Sequence, residues 1–328
     1  MSKVVPAEER SLDTAGLLNL SVVYVVWGST YLAIRVAVRE GAGFPPFMMG
    51  AMRVLLGGGL LLIWASLSRK RLRLTRQELL VVAGSGLLLW FGGNGLLVWA
   101  EQRAASGYAA LILASTPVWV AMIEALLDRR PPSVLLVGSL AIGIVGMGVL
   151  TAPVLRQQVS GDILSVAALL LASLSWGAGS VFQSRRQVDL THRVNSGYQQ
   201  LFGGVGFVLA ALVFGEPLPA PSSQAWIAWV YLVIIGSVFA FTAYVQALRL
   251  LPTSVVMTYA YVNPVIAVIL GWLILQEPIT LWTICGAGLV LLAVAGVFRD
   301  RFRRSGGRAL DRTVTQPEAG VPVEASTK

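Results

Sequence analysis

Apolar residues in this chain run in ten long blocks, at roughly 16–38, 46–67, 78–100, 107–127, 133–152, 161–183, 197–214, 226–248, 253–275 and 280–298. Short, mostly charged connectors separate them. A hydrocarbon core about 30 Å thick takes about 20 helical residues to cross. No water is available there, so every backbone N–H and C=O has to bond within its own segment, which forces helices. The pattern predicts an all-α integral membrane protein of ten transmembrane helices. Pro45-Pro46, Pro131-Pro132, Pro252 and Pro278 fall in connectors, where a missing N–H costs little. The two ends, residues 1–14 and 299–328, lack apolar blocks and are expected to be disordered.

Composition sharpens this reading. Of 328 residues, 56% are hydrophobic and 12% charged, against roughly a quarter charged in a soluble domain. The net charge of +9 is not a nucleic-acid signature, because the basic residues cluster in alternate connectors. Lys70, Arg71, Arg73, Arg129, Arg130, Arg185, Arg186, Arg193 and Arg249 all fall on the face that also holds both chain ends, whereas the other face carries little beyond Arg39, Arg103 and Arg156. The positive-inside rule then predicts cytoplasmic N- and C-termini in a plasma (inner) membrane. One cysteine, Cys285, excludes an intramolecular disulfide, and with one histidine, His192, a Cys/His metal site is excluded too. No Walker motif or strand–GxGxxG–helix unit is present, so this chain alone is not an ATP-driven pump. The expected partners are the lipid bilayer and a small-molecule substrate, with no cofactor, nucleotide or nucleic acid.

The chain repeats itself. Trp27-Gly28-Ser29 recurs as Trp176-Gly177-Ala178, Thr116-Pro117 as Asn263-Pro264, and the glycine-rich fifth block as the tenth, all at offsets near 148 residues. Five helices per half is an odd number, so the second half must enter the membrane from the opposite face. Such inverted repeats are a device of secondary transporters.

Polar atoms at membrane depth are costly against lipid and belong on interior faces. Tyr24, Trp27, Tyr31 and Arg35 share one helical stripe; so do Ser173, Trp176 and Ser180, then Trp90, Asn94 and Glu101, and then Met257, Tyr261 and Pro264. Aromatic rings suit a cavity for an organic solute, although helix packing and interfacial belts use the same residues. The candidate substrate-binding set is Trp27, Tyr31, Trp90, Asn94, Trp176, Tyr261 and Asn263. Arg53 lies some two turns into its block, and its guanidinium could hold a carboxylate or form a gating ion pair with Glu101; Arg35 joins that gating group. Pro117 and Pro264 are the candidate helix kinks, each freeing a carbonyl. No residues are assigned to catalysis or to a metal.

Trp27-Gly-Ser-Thr-Tyr31, Arg53 ahead of the small-residue run, Ala100-Glu-Gln102 with Ser106-Gly107, Pro117, Ala247-Leu248, Pro264 and Glu277-Pro278 resemble, in this order, the ten-helix EamA-type exporters of the drug/metabolite transporter superfamily. The resemblance implies two five-helix repeats, 15–152 and 153–298, around a central cavity. It implies a carrier of amino acids, other metabolites or drugs, usually outward. One departure stands out: Glu277 before its proline is matched in the first half by Arg130. The expected function is a secondary transporter working by alternating access. The alternatives are a passive channel and, at greater distance, an intramembrane hydrolase, for which no histidine sits within a block.

Overall fold

The computed structural model describes residues 13–104, 106–157, 163–263, 265–266 and 280–315. Among them every regular element is helical: α1 Thr14–Val38, α2 Pro46–Leu67, α3 Arg76–Ala100, α4 Ser106–Leu113, α5 Thr116–Asp128, α6 Val134–Gln157, α7 Ile163–Arg185, α8 His192–Val213, α9 Ser223–Leu250, α10 Thr253–Val256 and α11 Leu281–Thr315. Six of these, α1, α2, α3, α7, α8 and α9, are long and apolar enough to cross a membrane.

Two features depart from a set of straight spans. The block at 107–127 is two helices, α4 and α5, broken at Ala114-Ser115. The ninth block opens with the single turn of α10 and a turn at Met257-Thr258, and its stretch 267–275 lies outside the described residues. The disordered ends need correction where they are described. Asp13 is already structured, its carboxylate accepting from Gly16 N at 2.8 Å to cap α1. At the other end α11 runs to Thr315, past the expected limit of 298. The arginines, Ala309 and Leu310 of this stretch are good helix formers, so lost hydropathy does not stop the helix. Residues 1–12 and 316–328 lie outside the described residues.

The outward surface is apolar. Leu18, Val25, Leu32, Ile63, Leu80, Leu126, Leu171, Leu209 and Ile227 are all exposed side chains within helices. In water such a surface would be an aggregation liability; it fits a hydrocarbon solvent.

Helix pairing respects the repeat. α2 packs on α8 and α6 on α11; α1 packs on α9, and α3 on α7. The last two pairs map onto each other at the repeat offset. Both long partners, α3 and α9, carry a nine-residue π-helical segment, Leu87–Gly95 and Leu232–Ala240. π segments are rare and concentrate at functional positions.

Both ends of the bundle are tied. At one end Ala220 N donates to Gly43 O (2.9 Å) and Ser222 N to Ala42 O (3.0 Å). Gly43 has φ +90°, and a Cβ there would sit 2.1 Å from Ala220 O, so only glycine allows this approach. Beside it Glu216 accepts from Phe47 N (3.0 Å) and Met48 N (2.7 Å), placing a carboxylate on the N-terminus of α2. At the arginine-rich end a two-fold Arg185–Asp128 pair at 2.6 Å joins α7 to α5. There Arg249 donates to Leu190 O and Arg71 to Asp189 O. The same Arg71 pairs with Glu78, which completes a capping box with Thr75 at the start of α3.

Candidate functional site

Between the tied ends lies a cavity of about 50 Å³, lined by Trp27, Thr30, Tyr31, Ile34, Arg53, Trp90, Gly93, Asn94, Leu97, Leu113, Thr116, Ala172, Trp176 and Tyr259. It exceeds the roughly 10–15 Å³ that one water needs, so it is a small chamber with room for solvent. Five of the seven expected substrate-binding residues, Trp27, Tyr31, Trp90, Asn94 and Trp176, meet there.

The repeated tryptophans form its centre. Trp27 and Trp176 meet edge-on at 5.4 Å between centroids. Tyr244 packs against both, 4.9 Å from Trp27 and 5.6 Å from Trp176. Tyr259 stands edge-on to Trp27 at 5.0 Å. Such pairs add roughly 0.5–1.5 kcal/mol each beyond area burial. Hydrogen bonds fix the rings: Trp176 Nε1 donates to Tyr244 Oη (3.1 Å), and that hydroxyl meets Ser180 Oγ at 2.5 Å. Trp27 Nε1 reaches Gly236 O at 3.5 Å.

The polar side of the chamber is built by α2 and the π segment of α3. Arg53 is 3% exposed; its Nε donates to Ser237 Oγ at 2.8 Å, and its guanidinium lies 5.2 Å from the Trp90 ring centre. Trp90 is seated by Gly203 of α8, where a Cβ would stand 2.2 Å from Trp90 Cβ. Ser115 and Thr116, at the α4–α5 break, both meet Ser173 Oγ at 2.9 Å and join α5 to α7 beside the chamber.

Two candidates are not in the lining. Tyr261 packs its ring against Gly143 of α6 and donates to Leu140 O at 3.4 Å. Asn263 is buried, its amide satisfied by donating to Tyr24 O (3.1 Å) and Tyr259 O (3.0 Å), so it braces the tyrosine that does line the cavity. The turn at Met257-Thr258 explains the exchange, because it breaks the stripe on which Tyr261 was placed and presents Tyr259 instead. Thr30, Thr116 and Tyr259 are the lining groups the sequence reading missed. The repeat offset pointed only to the position after Ser115, and no stripe singled out the other two.

The gating group also differs from expectation. Arg53 and Glu101 form no ion pair among the described residues; Arg53 is held on Ser237 and Trp90 instead. Arg35 Nη1 donates to the backbone oxygens of Glu101 (2.5 Å) and Gln102 (2.8 Å), capping the C-terminal end of α3 with a cation. Glu101 itself is fully buried, and its carboxylate oxygens bond to no described residue. Glu101 is the C-cap residue just past the end of α3 and lies outside the cavity lining. Pro117 does not kink a continuous helix. It is the second residue of α5, just past the break, where a proline lacks no helical bond. Pro264 lies outside the described residues.

Comparison with known proteins identifies the family. The EamA-like transporter family model matches twice, over residues 14–152 and 163–299. The chain is 34% identical over 285 residues to the uncharacterized inner membrane transporter YedA of Escherichia coli K12, covering 86% of this chain and 90% of that one. It is 24% identical over 290 residues to the uncharacterized transporter YoaV of Bacillus subtilis, covering 87% and 96%. A solved crystal structure shares the fold with a TM-score of 0.71 at 20% identity, over 88% of this chain and 98% of that one. The chain belongs to the EamA-like transporter family, within the drug/metabolite transporter superfamily, and is a multi-pass membrane transport protein.

Proposed function

We propose that the protein is a secondary transporter that exports small organic metabolites, such as amino acids or drugs, by alternating access. Its two halves act as inverted five-helix repeats, giving ten spans with both termini in the cytoplasm. The observation that carries this reading is the chamber where equivalent tryptophans of the two halves, Trp27 and Trp176, meet. A chamber between two related halves is where an alternating-access carrier would hold its solute. The connector hydrogen bonds at Gly43 and Ala42 close one end, and the Arg185–Asp128 pair closes the other. Aromatic faces hold the apolar part of the solute, and Asn94 binds its polar groups.

The test is transport in proteoliposomes. Saturable uptake stimulated by solute on the opposite side is expected, and Trp27→Ala and Asn94→Ala are each expected to reduce it strongly. Unchanged transport in both variants removes the cavity assignment. Unsaturable flux without counterflow stimulation turns the reading to a channel.

A further inference from the structure

The chamber has unmet valences of a definite kind. Arg53 Nη1, Trp90 Nε1 and Asn94 Oδ1 accept or donate no hydrogen bond among the described residues. All three side chains are more than nine-tenths buried, at 3%, 1% and 8% exposure, and all three line the chamber. A buried polar atom without a partner is costly, and a buried charge more so. Water can satisfy two donors and an acceptor, but it cannot neutralise a guanidinium. Among the described lining residues Arg53 is the one charge, and none is a carboxylate. The nearest candidate for that role, Glu101, acts on Arg53 and Arg35 through space but is outside the lining and makes no hydrogen bond to Arg53, so the guanidinium edge keeps no direct anionic partner among the described residues. Arg53 is nonetheless held in place beside the chamber, with Nε fixed on Ser237 and its guanidinium near the Trp90 ring.

We propose that Arg53 is the anion receptor of the transport site, and that the solute is a small organic monoanion with an N–H or O–H group beside its carboxylate. The carboxylate takes the Arg53 and Trp90 donors, and the neighbouring N–H or O–H donates to Asn94 Oδ1. Charge-assisted bonds of this type are short and directional, which suits arginine better than lysine. The same chemistry disfavours organic cations, since no carboxylate is among the described lining residues. This inference rests on the carrier reading for its meaning in transport, but its binding test does not.

Two probe series separate the charges: lactate, lactamide and 1-amino-2-propanol, and the corresponding acid, amide and amine built on 3-phenyllactate. Binding is read on the purified full-length protein by tryptophan fluorescence and calorimetry. At least one acid is expected to bind about tenfold or more tighter than its amide, the amine not at all. Arg53→Gln is expected to abolish the acid-over-amide preference, and Arg53→Lys to restore part of it. Asn94→Asp, nearly isosteric, puts a carboxylate in the lining and is expected to remove acid binding without Arg53 being touched. Equal binding of acid and amide, tighter binding of the amine, retention of the preference in Arg53→Gln, or no acid binding up to millimolar concentration each overturns the proposal. Counterflow in proteoliposomes with the same probes keeps the two readings apart. Binding preference without any counterflow sinks the carrier and leaves the anion receptor, whereas counterflow of the amine does the reverse.

Discussion

Residues 14–152 and 163–299 match one family model, and each half carries a long helix with a nine-residue π segment, yet the two segments serve different ends. In the first half, Leu87–Gly95 sends Trp90, Gly93 and Asn94 to the chamber. In the second, Leu232–Ala240 turns Gly236 and Ser237 to the back of it, where they accept from Trp27 Nε1 and Arg53 Nε. The rest of the lining is equally uneven. Among the described lining residues only Ala172, Trp176 and Tyr259 come from the second half, and the one charge and the one amide come from the first. Duplication preserves what the membrane demands of backbone and packing. It does not preserve recognition chemistry, because an anion needs one receptor and a second buried guanidinium would cost desolvation without a partner. The first half is thus the recognition half and the second its brace.

That contrast can be strained at several points. The largest effect belongs to the tryptophans the halves share: Trp27→Ala and Trp176→Ala are each expected to cost about 3–5 kcal/mol in thermal unfolding and to abolish counterflow. Similar losses support a common central role, and one silent substitution breaks the equivalence. Gly203→Ala drives a methyl into Trp90 Cβ and is expected to cost about 1–3 kcal/mol. Because Gly203 belongs to the second half, weakened solute binding in that variant measures how far the brace sets the receptor. Ser237→Ala removes the anchor of Arg53 Nε and is expected to lower affinity by roughly tenfold, for a charge-assisted bond of about 1.5 kcal/mol. Tyr261→Phe deletes a long hydrogen bond remote from the chamber and is expected to change stability by less than about 1 kcal/mol and transport not at all. A large transport defect there would place the second half back in the recognition site.

Much of this was legible in the sequence, for physical reasons. Apolar block length is set by bilayer thickness, so the long spans could be read directly. Trp27 and Trp176 were found because a shared Trp-Gly pair at the repeat offset marks equivalent places on a duplicated scaffold. Trp90 and Asn94 were found because one turn separates them in either helix type. What failed depended on unbroken helical phase. Glu101 lies past the end of α3 and Tyr261 past the turn at Met257-Thr258, and both stand outside the lining. Arg53 was picked out as an interior charge, but its hydrogen-bond acceptor was not foreseen, since Ser237 is 184 residues away and has no sequence signal as an acceptor. The helical stretch after Phe298 was missed because hydropathy reports the solvent and not the backbone.

The central claim is that the chamber faces each side of the membrane in turn. The lone thiol Cys285 can be removed as Cys285→Ser and a cysteine introduced as Asn94→Cys, a position 8% exposed within the chamber. In right-side-out and inside-out vesicles, a membrane-impermeant thiol reagent is expected to label this cysteine from both sides, at a slow rate set by opening. Labelling from one side alone in every condition, or from neither, contradicts the account.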